Sequence, residues 1–159
     1  MLRVRDIMTR DVISLDGQAP VDMAAWRFAF EAVSGAPVRD AKGNLIGMLT
    51  QSDLVDPLRQ GGDMRTVSDV MTPGAWAVHP DAPAMEAVEL MLDKGIHRVL
   101  AISGPGKIAG IVTTTDVLRA LVGGKFHEYP KATQPLPDDK SDQAPASEEQ
   151  SELRASATS

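Results

Sequence analysis

The chain has 159 residues, of which 43% are hydrophobic and 24% charged, with a formal net charge of −6 and no cysteine. That length holds one domain or two very small ones, and the composition is that of a soluble globular protein. The negative charge argues against nucleic acid as a partner, and the lack of cysteine excludes disulfides, thiol catalysis and Cys-based metal sites.

No apolar run approaches the ~20 residues of a membrane span. The opening MLRVRDIMTRDV lacks the apolar core of a signal peptide, so a cytoplasmic protein is expected. His79, His97 and His127 are scattered without metal-ligand spacing.

In chain order, VRDIMT (4–9) is followed by a short extended piece, VISL (12–15). A helix begins near Pro20, because proline suits the first helical turn. Val21, Ala24, Ala25, Phe28 and Ala32 recur along it at helical spacing. Two apolar strands, GAPVRD (35–40) and NLIGMLT (44–50), follow as a hairpin around Gly43. A second helix shows Leu54, Val55 and Leu58 as its apolar face.

The same order then returns. VSDVMT (67–72) leads to WAVH (76–79) and a helix from Pro83 with Ala84, Ala87, Val88 and Met91 on one side. Strands RVLAIS (98–103) and KIAGIVT (107–113) are joined through Gly104, Pro105 and Gly106. The last helix carries Val117, Leu118, Leu121 and Val122. Residues at the capping positions, Ala19 and Ala82, have no side chain able to cap.

A shift of 63 residues aligns positions 4–55 with 67–118 without a gap, and 11 of the 52 pairs are identical. Roughly three would coincide by composition alone. The chain is therefore two copies of one β-α-β-β-α unit, residues 1–62 and 63–128. One copy buries too little apolar surface to stand alone, so the copies should share a core, sheet against sheet. Residues 129–159, rich in Pro, Ala, Ser and acidic side chains, predict a disordered tail.

The most specific repeated segment is GMLTQSD (47–53) and GIVTTTD (110–116). A strand ends and a helix begins at the threonine, where unpaired helix amides attract phosphate. Gly47 and Gly110 leave room for close backbone approach. Thr50 and Thr113 could donate to phosphate, while Asp53 and Asp116 could accept from the vicinal hydroxyls of a ribose. The same residues also form a near capping box, which would stabilise a helix and bind nothing. For a single Thr-x-x-Asp the capping role is the simpler one.

The order V-x-D-I/V-M-T, helix, I-H-R-V-L-A-I, then G-h-h-T-x-x-D with h apolar, resembles the CBS domain, named for cystathionine beta-synthase. The resemblance covers residues 2 to about 122 and is that of a tandem pair, a Bateman module. It implies an α+β fold in which two β-α-β-β-α copies pack through their sheets with pseudo-twofold symmetry. It also implies clefts for adenosine ligands such as AMP, ADP, ATP or S-adenosylmethionine, no required cofactor, a homodimer, and signalling to a regulated partner protein. In one cleft Thr113 would meet phosphate and Asp116 ribose, with Thr9 and Ser14 bordering adenine and His97 and Arg98 facing the phosphates. In the other, Thr50 and Asp53 would act above Thr72 and Ala77.

Ser34 and Gly35 stand where the second copy has His97 and Arg98. That difference predicts tighter binding of phosphorylated nucleotide at the Thr113/Asp116 cleft. Met8 and Met71 read as core with adenine contact as the alternative, Trp76 as core with stacking on a base as the alternative, and Trp26 as a dimer contact or partial core. A non-catalytic ligand sensor is the leading function. A dimerisation module with vestigial clefts is the alternative, and nucleotide turnover a third reading, against which no Ser-His-Asp order or phosphate loop is found.

Overall fold

The computed structural model describes residues 1–55 and 65–126. Leu58, the junction at 62/63 and the tail from 129 lie outside the described residues.

The first repeat contains α1 (Val4–Ile7), β1 (Leu15–Asp16), α2 (Val21–Glu31), β2 (Gly35–Arg39), β3 (Leu45–Thr50) and α3 (Gln51–Val55). The second contains α4 (Val67–Val70), β4 (Thr72–Pro73), β5 (Ala77–Val78), α5 (Ala84–Lys94), β6 (Arg98–Gly104), β7 (Lys107–Thr113) and α6 (Thr114–Val122). The predicted helices and hairpins are present. The VRDIMT and VSDVMT segments each add a one-turn helix, α1 and α4, that the periodicity did not show.

The sheets reveal an exchange. One has the order β1-β2-β3-β4, so β4 of the second repeat lies against β3 of the first. The other has the order β5-β6-β7, and Thr9 of the first repeat bridges to Ile111 on its β7 edge. Within each sheet the short opening strand is parallel to its neighbour and the hairpin is antiparallel.

The one-turn helices are exchanged as well. Val4 and Ile7 sit in a core with Val78, Ala84, Ala87, Met91, Val99 and Val112 of the second repeat. Val67 and Val70 sit with Leu15, Ala24, Phe28, Val38 and Leu49 of the first. Val4 and Val67 are both fully buried, and each such side chain contributes about 1.5–3 kcal/mol by leaving water. Each core is thus completed by the other repeat, which is why neither copy closes by itself.

The exchange also resolves the missing helix caps. Pro20 and Pro83 occupy the N-cap positions, without a side-chain cap. The first amide of α2, Val21 N–H, donates to Arg65 O (3.0 Å), and that of α5, Ala84 N–H, to Leu2 O (2.9 Å). The incoming segment of the other repeat supplies the acceptor that the sequence lacks. These reciprocal contacts express a pseudo-twofold axis relating the repeats.

Side-chain directions correct part of the helix reading. On α2, Ala24 and Phe28 are buried, whereas Ala25 and Ala32 are exposed. Leu118 and Val122 of α6, expected to face inward, are 60% and 91% exposed, and Val55 of α3 is also exposed. Trp26 and Phe30 lie in contact on the open face of α2, ring centroids 4.4 Å apart.

Candidate functional site

Among the described residues a cleft lies between the repeats at each Thr-x-x-Asp segment. The larger, about 490 Å³, is walled by Met48, Thr50 and Ser52 from the first repeat and by Thr72, Trp76, Ile96, His97 and Arg98 from the second. The smaller, about 230 Å³, is walled by Thr9, Asp11, Ser34 and Gly35 from the first repeat and by Arg98, Thr113, Asp116 and Arg119 from the second.

Both segments form the capping box. The Asp116 carboxylate accepts through Oδ2 from the Thr113 amide (2.8 Å) and the Thr113 hydroxyl (3.0 Å), and the Asp116 amide donates to Thr113 Oγ1 (3.3 Å). Asp53 accepts from the Thr50 amide (2.9 Å) and hydroxyl (3.2 Å) in the same way. Both aspartates are buried. The next amides are engaged too, Thr114 N–H by His97 O (3.1 Å) and Gln51 N–H by Ser34 O (3.0 Å).

Capping is only half of each carboxylate's work. Asp116 Oδ1 accepts from the hydroxyl of Thr9 (3.0 Å), 107 residues away, and Asp53 Oδ1 from that of Thr72 (3.4 Å). The threonine at the end of each opening segment thus reaches the aspartate of the other repeat. The resemblance set Thr9 in one cleft with Asp116 and Thr72 in the other with Asp53, in separate roles; in the structure each threonine is hydrogen-bonded to that aspartate.

The glycines have a different reason from the one expected. A Cβ on Gly110 would lie 2.6 Å from Met8 Sδ and 2.8 Å from Thr9 O. On Gly47 it would lie 2.7 Å from Met71 Sδ and 2.5 Å from Thr72 O. The close approach is made by the exchanged segment, not by a phosphate. Met8 and Met71 pack over these glycines at the margin of the cores.

Other positions are also corrected. His97 lines the Thr50/Thr72 cleft, not the Thr113/Asp116 cleft. Ser14 is held by Arg39 Nε on its hydroxyl and Arg27 Nη1 on its carbonyl, both 3.3 Å, and lines neither cleft. Ala77 likewise lies off both walls, where its neighbours Ala75 and Trp76 line the larger one. Asp53 is beneath the larger cleft rather than on its wall, whereas Asp116 borders the smaller. Trp76 is not core: it is half exposed, with Lys94 Nζ 4.7 Å from its ring centroid. Its location in an opening segment was the available signal, since both Thr72 and Trp76 precede β5.

The cations are distributed unexpectedly. Arg98, half-buried at the start of β6, lines both clefts and donates from Nη1 to Ser34 Oγ (3.0 Å). Burial lowers the pKa of its guanidinium from the ordinary arginine value, while the charge of Asp53 opposes that shift; the group keeps its charge at neutral pH. Arg119 adds a second cation to the smaller cleft, 3.7 Å from Asp116. Among the described residues no cluster of metal ligands is found.

The chain belongs to the CBS domain family: the family model matches residues 4–59 and again 67–123, so the fold is that of a CBS pair. The pair of protein MJ0100, solved with 5′-methylthioadenosine and S-adenosyl-L-methionine, has TM-score 0.70 and 27% identity, covering 79% of this chain and 99% of that one. CBSX2, solved in complex with AMP, has TM-score 0.68 and 27% identity, covering 79% and 100%. A further CBSX2 structure, that of the CBS-pair protein from Arabidopsis thaliana, has TM-score 0.66 and 27% identity, covering 78% of this chain and 96% of that one. Among curated relatives, protein MJ1232 of Methanocaldococcus jannaschii is 28% identical over 80% of this chain, and protein MK0525 of Methanopyrus kandleri 31% identical over 73%. The match spans 42% of the former and 61% of the latter, so these relatives extend well beyond the shared pair. No helix among the described residues is long and apolar enough to cross a membrane.

Proposed function

We propose that this CBS pair is a non-catalytic regulatory module that binds an adenosine-containing ligand between its repeats. The expectation of tighter phosphate binding at the Thr113/Asp116 cleft is replaced: His97 lines only the larger, Thr50/Thr72 cleft and Arg98 lines both, so the larger cleft is the principal seat. Trp76, Ile96 and Met48 offer an apolar wall for a planar base, and Arg98 and His97 offer donors to phosphate or carboxylate. The observation that carries this reading is the combination of apolar wall and guanidinium in a cleft of about 490 Å³, within the range of small-molecule sites. The AMP complex of CBSX2 and the S-adenosylmethionine complex of the MJ0100 pair support the ligand class.

Occupancy becomes a signal through the exchange. The clefts lie where one repeat's opening segment crosses the other's sheet, so a ligand favouring one packing shifts the repeats relative to each other. A cytoplasmic partner protein would read that shift. Thermal unfolding with AMP, ADP, ATP and S-adenosylmethionine tests the proposal, because binding stabilises by about RT ln(1 + [L]/Kd). One of the four should raise the midpoint in a concentration-dependent way, with no product released from ATP. No shift at millimolar concentrations leaves the second reading, a dimerisation module. That reading is favoured by the exposed Met23, Trp26 and Phe30 on α2, a ready surface for a homodimer.

A further inference from the structure

Gly35 and Arg98 are equivalent positions of the two repeats, separated by the repeat offset of 63 residues. They are also in contact, since a Cβ on Gly35 would collide with the Arg98 guanidinium. Equivalent residues that touch each other lie at the pseudo-twofold axis. Two arginines there would set like charges against each other and overfill the space. One arginine facing one glycine is the arrangement the axis permits.

The consequence concerns the clefts on either side. Among the described residues Arg98 alone lines both. Its hydrogen bond to the Ser34 hydroxyl holds it across the axis, where the charge of Asp53 also acts on it.

We propose that the two clefts compete for the single guanidinium of Arg98, so that a phosphorylated ligand in one weakens phosphate binding in the other. An uncharged adenosine in one cleft makes no claim on it and leaves the other cleft's affinity for phosphate intact. The pair is then built to hold one phosphorylated ligand and one uncharged or cationic adenosine derivative together. This inference rests on the adenosine-ligand reading and adds a coupling to it. By linkage the coupling is reciprocal.

The test uses the full chain and AMP as probe, with two single-cleft variants. Thr115→Phe fills the smaller cleft from the exposed first turn of α6, and Ala75→Phe fills the larger from its exposed rim. Arg98→Ala is then added to each and to the unblocked protein, and AMP binding is followed by calorimetry. Arg98→Ala is expected to weaken AMP about tenfold in both single-cleft proteins, the loss of one charged hydrogen bond. In the unblocked protein it should weaken only the tighter of two AMP events. Weakening in just one single-cleft protein, or of both events in the unblocked protein, overturns the sharing. AMP binding to neither cleft of the unblocked protein overturns the coupling; the ligand reading itself falls only if ADP, ATP and S-adenosylmethionine also fail to bind.

Discussion

The Thr9 hydroxyl donates to Asp116 Oδ1 across 107 residues of chain, while the other oxygen of the same carboxylate caps α6. One buried aspartate therefore ties a helix start to the opening segment of the other repeat. Replacing Thr9 by valine removes only the long-range bond. Asp116→Asn keeps the shape but loses the charge. Thr9→Val should cost about 1.5–3 kcal/mol as a bond to a charged group, measured by urea unfolding. A Thr9→Val/Asp116→Asn double-mutant cycle should show a coupling of at least about 0.5 kcal/mol. Strictly additive losses would mean that the bond contributes nothing in solution.

Gly110→Ala is predicted to destabilise by about 1–3 kcal/mol through overpacking. Truncating Met8 to alanine in the same protein should recover only part of that. The sulfur can be removed, but the Thr9 carbonyl that also meets the new Cβ cannot. Full recovery by Met8→Ala would show that the side chain alone requires the glycine. Denaturation midpoints at unchanged m-value are the readout.

Trp76 provides a reporter for the larger cleft. Trp26→Phe removes the only other tryptophan, which lies on the open face of α2. In that protein, a ligand that stabilises against heat should also change Trp76 fluorescence with the same midpoint concentration. A stabilising ligand that leaves Trp76 unchanged would belong to the smaller cleft. On the dimerisation reading the parent protein should sediment as a dimer, and removing the aromatic patch with Trp26→Ser and Phe30→Ser should leave monomer, with the fold intact by circular dichroism; a parent protein that sediments as a monomer overturns that reading.

Asp69 gives a pH prediction. Its Oδ2 accepts from the Thr66 amide (2.9 Å) and hydroxyl (3.0 Å), at the start of α4. The backbone bond, and then the hydroxyl, lower its pKa below the ordinary aspartate value. A carboxylate with a depressed folded-state pKa adds stability that is fully present above the unfolded value and lost as pH falls through the folded one. Acid unfolding of Asp69→Asn should therefore be shallower below pH ~4 than that of the parent protein, with no difference in slope at neutral pH.

The duplicated half, its helices and its hairpins were legible because apolar periodicity is a local property, and the 63-residue offset makes each copy check the other. Thr50, Asp53, Thr113 and Asp116 were legible as a motif, though the motif alone supported both capping and binding. The structure contains the capping geometry in full and places Thr9 and Thr72 upon it. The placement of His97 was not legible. Nothing in IHRV states which cleft its two polar side chains enter, since that depends on how β6 stands against the opposite repeat. Leu118 and Val122 misled for a related reason: an apolar stripe marks a face that avoids water, not which neighbour covers it.

The sequence by itself determined that this protein is a doubled β-α-β-β-α unit with a Thr-x-x-Asp turn at each strand-to-helix junction. Those features are written in nearest-neighbour chemistry, spacing and repetition. Only the tertiary structure decided that each opening segment completes the other repeat's core, that Gly47 and Gly110 make room for Met71 and Met8, and that Arg98 stands between two clefts. Those outcomes depend on where a symmetry axis passes. An axis arises from packing two halves together, so it is a property of the pair and of no segment within either.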